Sequence, residues 1–199
     1  LKSDVTTILF DSGPYQREKG HQVVQYLLKI LTEYSHNRKD IADFLADLEY
    51  AKTIIDHMRQ ITILDAIESD RALTLTAHAL MLCLNLSGVS SSFAKCLAKG
   101  GAVELLTLVI VDEEYLRNGE IMEAIYSLLR NTVDILNNIA RHVPTKQCFV
   151  ENNTANALKN LLNWNKRSLE VRALLTLALV LDEDELLHLT DDTGRLHIY

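Results

Sequence analysis

A helical segment that occurs twice in the chain constrains the fold more than any other feature of the sequence. The first copy is residues 79–87, ALMLCLNLS, and the second is residues 132–140, TVDILNNIA. Each copy is followed by a short loop and then by further apolar, helix-forming sequence. Self-similarity at a spacing of roughly 50 residues is typical of proteins built from stacked helical repeats. The sequence therefore predicts a helical array, which works by presenting a long surface rather than an enclosed pocket.

The composition favours helices that bury a core. Of the 199 residues 48% are hydrophobic, which suffices for a sizeable core in one domain. The chain has only 7 glycines and 2 prolines, and this argues against an all-β fold with many turns. We therefore predict an all-α protein.

Net charge and cysteine usage limit the partners and the compartment. The formal net charge is -7, which argues against a general nucleic-acid-binding protein. Cys83, Cys96 and Cys148 lie far apart in predicted helices and are interpreted as reduced core thiols. The sequence has no signal-peptide pattern at its start and no apolar stretch of about 20 residues that spans a membrane. We predict a cytoplasmic protein that binds neither nucleic acid nor a membrane.

Apolar residues at steps of three and four predict the individual helices. The clearest helix lies at 120–141, and its polar face carries Glu123, Arg130, Asn131, Asp134 and Asn138. Other helices are predicted at 71–87, 90–99, 102–111, 145–151, 154–163 and 168–181. Gly88 is expected to end the first of these and Ser168 to cap the last.

A weaker copy of the same order of helices is predicted at 17–35, 37–46 and 48–68. The repeat region is thus expected at 17–190, between an N-terminal extension or cap at 1–16 and a C-terminal tail or linker at 191–199. Because residue 1 is Leu rather than Met, we expect the chain to be part of a longer protein.

Residues 79–109 resemble an armadillo repeat. In that family an inner helix ending in Ala-x-x-x-Leu-x-Asn-Leu-Ser is followed by a short helix, a Gly-Ala-Val or Gly-Ala-Ile step and a second helix ending in Leu-Leu-x-Leu. The segments 79–87 and 101–108 (GAVELLTL) match these patterns. The second copy keeps Asn138 but has Thr154 at the step, and the third has Val180 in place of the Asn. The resemblance implies a right-handed α-solenoid of about three to four armadillo-like (ARM/HEAT-like) repeats.

The resemblance also implies where a partner binds. In armadillo proteins the third helix of each repeat lines a concave surface, and its Asn bonds the main chain of an extended peptide. An amide both donates and accepts, so it can satisfy a strand's backbone without reading its sequence. Carried over to this chain, the partner-binding residues are His78, Met81, Asn85, Arg130, Asn131, Asp134, Asn138, Arg172 and Thr176. The alternative for Asn85 and Asn138 is that they only bond neighbouring helix ends inside the stack.

Patterns of catalytic and metal sites are missing from the sequence. The seven His residues show no His-x-x-x-His pairing, and no Cys-x-x-Cys or phosphate-binding Gly-rich loop occurs. We therefore predict no enzymatic activity, no metal and no cofactor. The acidic runs at 112–114 and 182–185 could attract a basic partner, but such runs usually form solvated loops or helix starts, and they are interpreted in that way.

Three functions are compatible with these patterns. The leading hypothesis is a non-catalytic signalling scaffold or adaptor that binds a protein or peptide segment, or a second copy of itself, through its concave helical surface. The alternative is a metabolite-sensing or autoinhibitory module of a signalling enzyme. Residues 173–185 look similar to arrays in invertebrate proteins that join armadillo repeats to Toll/interleukin-1 receptor domains, some of which cleave NAD. That alternative needs Arg or Lys side chains that converge in the groove, and Arg130, Arg141 and Arg172 are the only good candidates. The third is a structural spacer.

Overall fold

The computed structural model describes residues 14–47, 50–60, 70–111, 122–144, 146–164 and 166–189. Within these ranges every regular element is a helix and no strand is formed, which confirms the predicted all-α class. The predicted tail at 191–199, most of the predicted extension at 1–16, the acidic run at 112–114 and the end of the helix predicted at 48–68 lie outside the described residues.

Eleven α-helices are found in the described ranges. In chain order they are α1 (Pro14–Ser35), α2 (Lys39–Asp47), α3 (Tyr50–Gln60), α4 (Asp70–Val89), α5 (Ser91–Lys99), α6 (Ala102–Val111), α7 (Met122–His142), α8 (Gln147–Glu151), α9 (Thr154–Asn160), α10 (Arg167–Val180) and α11 (Glu183–Leu187). A 3-10 turn at Leu161–Asn163 follows α9 directly. Helix α1 begins three residues earlier than the sequence predicts, at Pro14, a residue favoured in the first turn of a helix.

The four long helices pack side by side in the order in which they occur in the chain. Helix α1 packs against α4, α4 against α7, and α7 against α10. The short helices form a second set, in which α2 and α3 pack on α5, and α6 packs on α8 and α9. From α1 to α10, two short helices thus lie between each long helix and the next along the chain.

Apolar side chains of the long and short helices form one buried core. Its largest fully buried members include Phe93 of α5, Phe149 of α8, and Leu80, Leu82 and Leu86 of α4. Burying one such side chain stabilises the fold by roughly 1.5–3 kcal/mol. Helix α4 is apolar nearly all round because α1, α7 and α5 all pack against it, as the sequence predicts for an inner helix.

Residues in the left-handed region connect the short helices of two successive units. Gly101, with φ +83°, directly precedes α6, and Asn153, with φ 53°, directly precedes α9. Asparagine is one of the few residues with a side chain that tolerates this conformation. Asn153 therefore adopts in the second unit the left-handed backbone conformation that Gly101 adopts in the first. No second glycine is present at that position.

Two predicted helix ends are wrong. Gly88 does not end α4, which continues to Val89. The chain instead turns at Ser90, which has extended φ and ψ values of -128° and 115°, and its hydroxyl accepts the Phe93 N–H at 3.1 Å to cap α5. Ser168 is not a cap but the second residue of α10, whose start has no capping side chain.

The acidic run at 182–185 starts a helix, as one of the interpretations open from the sequence predicts. Asp182 caps α11 by accepting the Glu185 N–H at 2.8 Å, and the Glu185 carboxylate accepts the Asp182 N–H at 3.1 Å. This reciprocal pair is a capping box, and the negative charges also match the positive end of the helix dipole.

Candidate functional site

Seven of the nine predicted binding residues are half-buried side chains on three neighbouring long helices. We call this set the long-helix surface. It consists of His78, Met81 and Asn85 of α4, Arg130, Asp134 and Asn138 of α7, and Arg172 of α10. Because α4 packs against α7 and α7 against α10, these residues belong to one continuous layer of helices.

The other two predicted residues, Asn131 and Thr176, are buried. Their exposed fractions are 5% and 0%, so the prediction that they form binding surface is wrong. The physical reason is that α7 lies between α4 and α10, which cover the flanks of its polar stripe. The Thr176 hydroxyl donates to Arg172 O at 2.9 Å and accepts from Asn137 Nδ2 at 3.3 Å, so it joins α10 to α7.

The Asn85 side chain bonds to the preceding long helix. Its Nδ2 donates to the main-chain oxygen of Thr32 in α1 at 3.1 Å. A carbonyl oxygen only accepts, so the nitrogen of the amide must face α1 and the oxygen must face away. Within the described part of the chain, no residue donates a hydrogen bond to Asn85 Oδ1.

Asn138 has the same arrangement one long helix further along. Its Nδ2 donates to Ser87 Oγ of α4 at 3.1 Å, while the Ser87 hydroxyl donates to Leu84 O at 3.3 Å. The single hydroxyl hydrogen is used on Leu84, so Ser87 can only accept from Asn138. Asn138 Oδ1, like its counterpart in α4, receives no hydrogen bond from the residues that the structure describes.

The contacts of the two amide nitrogens agree with the alternative prediction, in which Asn85 and Asn138 bond neighbouring helices inside the stack. The two amide oxygens remain available as acceptors. The helix contacts use Thr32 and Ser87. The sequence contains a signal for Thr32, because it precedes Asn85 by 53 residues, the same spacing that separates Asn85 from Asn138. Ser87 is the last residue of the Asn-Leu-Ser pattern, but that pattern does not predict its contact with Asn138.

An ion pair connects α7 to α10 within the long-helix surface. Arg172 Nη1 donates to both carboxylate oxygens of Asp134, and the side chains are 35% and 24% exposed. Arg130 and Arg141, the other two arginines considered for a metabolite site, are eleven residues apart on α7. At 1.5 Å per residue that separation is about 16 Å along the helix.

The thiols of Cys83, Cys96 and Cys148 are free. Cys83 is buried, and burial raises the pKa of its thiol to about 12. Burial also raises the pKa of the half-buried Cys148. A raised pKa disfavours the thiolate, which is the nucleophilic form. Among the described residues, no group of three or more His, Cys, Asp or Glu side chains is arranged to hold a metal ion.

None of the helices in the described ranges combines the length and the apolar character needed to cross a membrane. The chain matches no protein-family model, no curated protein and no solved structure. The armadillo resemblance therefore rests on the sequence patterns given above.

The long-helix surface offers two amide oxygens as hydrogen-bond acceptors. Two amide oxygens on successive helices are held in place through their own nitrogens, and a compact ion pair lies beside them. Such oxygens can accept hydrogen bonds from the N–H groups of another molecule.

Proposed function

We propose that this chain is a non-catalytic scaffold or adaptor module, an armadillo-like α-solenoid that binds an extended segment of a partner protein across α4 and α7. The packing of α1, α4, α7 and α10 in chain order, with two short helices between successive long ones, supports the solenoid part of the proposal.

The observation that carries the binding part is the matched orientation of Asn85 and Asn138. Both nitrogens are tied to the preceding long helix, so both oxygens are preorganised as acceptors on a half-exposed surface. Fixing these groups before a partner arrives lowers the entropy cost of binding. The two amide oxygens would accept hydrogen bonds from main-chain N–H groups, which every extended segment presents.

An extended segment also matches the spacing of the helices. Packed helices lie about 8–10 Å apart. An extended chain advances about 3.3 Å per residue. Roughly three residues of a strand therefore cover the distance from Asn85 of α4 to Asn138 of α7.

A library of random 12-residue peptides displayed on phage tests this function. Peptides enriched on the wild-type protein are expected to bind the Asn85→Ala/Asn138→Ala variant at least about tenfold more weakly, because two preorganised acceptors are lost. Thr154→Ala is the matched control. It removes an interhelix bond of 2.8 Å to Thr107 among the short helices and leaves the long-helix surface intact, so affinity should be unchanged.

A second version of the experiment changes the peptide instead of the protein. N-methylation of its main chain at single positions removes one N–H donor at a time and keeps the side chains. We expect methylation at two positions about three residues apart to abolish binding. Failure to enrich any peptide, or equal affinity for the double-Ala variant and the wild type, would contradict the proposed function.

A further inference from the structure

Helix α7 carries a row of polar side chains on the side that contributes to the long-helix surface. Arg130, Asp134, Asn138 and Arg141 follow one another at steps of four, four and three residues, so they lie on one side of the helix. Arg130 is half-buried and Arg141 is exposed. At 1.5 Å per residue, Arg141 lies one turn after Asn138, and Arg130 lies about 12 Å before it.

The two arginines of this row lack a partner of opposite charge. Arg38, Arg59 and Arg172 each form an ion pair with a carboxylate. Arg130 and Arg141 form neither an ion pair nor a side-chain hydrogen bond with any residue in the described ranges. A half-buried guanidinium without a counter-charge has lost part of its hydration without compensation. An anion beside Arg130 would offset that cost.

The neighbouring described charges leave the row positive. From residue 72 to residue 89 helix α4 contains no Asp, Glu, Lys or Arg. Asp134 is already paired with Arg172, so together they carry no net charge. Glu123 lies fifteen residues before Asn138, which is about 22 Å along α7. The surface around Asn138 is therefore positive, although the formal net charge of the chain is -7.

The acidic residues on and after α10 lie on its other side. Helix α10 presents Arg172 to α7. Leu174, two residues further on and therefore about 200° around the helix, lines the cavity between α10 and α11. Glu170 is on this second side, one turn before Leu174. The acidic run at 182–185 caps and begins α11, so it too lies on the side of α10 that faces away from α7.

We propose that the extended segment bound across α4 and α7 is acidic, with a carboxylate side chain next to the residue whose N–H binds Asn138. This inference rests on the proposed function and adds the charge of the partner. Successive side chains of an extended segment point to opposite sides. A segment that crosses α7 at Asn138 therefore directs one side chain toward Arg141 and the next toward Arg130. The planar guanidinium donates paired N–H groups that match a carboxylate.

Selection from the random peptide library on phage, at about 50 mM salt where exposed charges are weakly screened, tests the inference. Enriched peptides should contain more Asp and Glu, and less Lys and Arg, than the unselected library. A selected peptide should bind Arg130→Gln/Arg141→Gln about three- to tenfold more weakly than the wild type, because each exposed ion pair contributes modestly. Lys52→Gln/Lys95→Gln is the matched control. It removes two positive charges from exposed sites on α3 and α5, so affinity should be unchanged.

A second comparison changes the selected peptide. Replacing its Asp and Glu with Asn and Gln should weaken binding to the wild type by the same factor and cause no further loss with the double-Arg variant. Raising the salt to about 0.5 M should remove most of the difference between the two peptides. Circular dichroism checks that every variant keeps its helices.

Enrichment of neutral or basic peptides would overturn the inference, and so would equal affinity of an acidic peptide for the wild type and the double-Arg variant. If such peptides still lose affinity for Asn85→Ala/Asn138→Ala, the proposed function stands and only the acidic preference fails. Failure to enrich any peptide would overturn both.

Discussion

Asn85, Asn138 and Arg172 each connect one long helix to its neighbour. Asn85 reaches Thr32 of α1, Asn138 reaches Ser87 of α4, and Arg172 of α10 reaches Asp134 of α7. A hydrogen bond between neutral groups contributes about 0.5–1.5 kcal/mol to stability. Such bonds are individually modest, but they have directions that apolar contacts lack. They therefore set how each long helix is rotated against the next, and with it which atoms face outward.

The ion pair between Asp134 and Arg172 should have a measurable effect on stability. Exposed pairs contribute about 0–1 kcal/mol, whereas breaking a fully buried pair costs about 3–5 kcal/mol. These side chains are 24% and 35% exposed, so Asp134→Ala should lower the free energy of unfolding by about 1–2 kcal/mol. Urea unfolding of both single variants and the double variant should give a coupling of about 1 kcal/mol, smaller in high salt. Strictly additive effects would show that the pair is not formed.

Burial of Cys83 predicts a difference in thiol reactivity. Its pKa is raised to about 12, so at pH 8 it is protonated and shielded, whereas Cys96 and Cys148 are half-buried. With Ellman's reagent the native protein should show Cys96 and Cys148 reacting first, and Cys83 only after unfolding in urea. Cys83→Ala should leave the native signal unchanged and remove one thiol from the unfolded signal. Rapid reaction of all three native thiols would contradict the described packing.

The same pKa shift gives a pH dependence of stability. In the unfolded chain the Cys83 thiol ionises near its ordinary pKa of 9.0, while in the folded protein it holds its proton to about pH 12. Folded protein therefore binds more protons than unfolded protein between these values. The Cys83 contribution is fully present below about pH 9 and decreases as the pH rises toward 12.

At the scale of helices, the sequence predicts most of the elements because their signals are local. Helix α6 matches the predicted 102–111 because Gly101, in the left-handed region, sets its start. Ser168 is not the cap that the sequence predicts, because α10 already begins at Arg167, where no side chain caps it. Gly88 does not end α4 in the way that the sequence predicts, because the chain turns at Ser90 through the extended backbone of that residue and its cap on α5.

Two serines test this account of the helix ends. Ser90→Ala removes the side chain that accepts the Phe93 N–H and that donates to Asp43 Oδ1, so it should cost about 1–2 kcal/mol of stability. Ser168 is exposed and lies inside α10, so Ser168→Ala should change stability by less than about 0.5 kcal/mol. Thermal or urea unfolding measures both values. Equal losses for the two variants would mean that Ser90 is not the cap that starts α5.

At the scale of the whole molecule, the limits of the sequence reasoning come from packing between helices. The pattern of α7 alone places Asn131 with its polar residues, and only the presence of helices on both sides reveals that it is buried. Thr176 of α10 is buried against α7, where its hydroxyl accepts from Asn137 Nδ2. The half-buried residues of the long-helix surface on α4 and α7 recur at steps of three and four in the sequence, so a local pattern places them on one face of each helix. The interhelix role of Ser87 was not predictable, since it depends on a contact across 51 residues.

The order of the long helices also gives the molecule its two kinds of surface. Along the layer, the long-helix surface carries polar side chains that are held by neighbouring helices. At the two ends, α1 and α10 carry apolar side chains that no described helix covers.

The central claim, that Asn85 and Asn138 accept hydrogen bonds from one extended segment, is tested most directly by nuclear magnetic resonance. Uniformly 15N-labelled protein is titrated with a peptide selected on the wild type. The side-chain NH2 signals of the two asparagines are assigned by their single Ala variants. We predict that both signals shift together and saturate with one dissociation constant. A peptide that binds and shifts other signals while leaving these two unmoved would contradict the account.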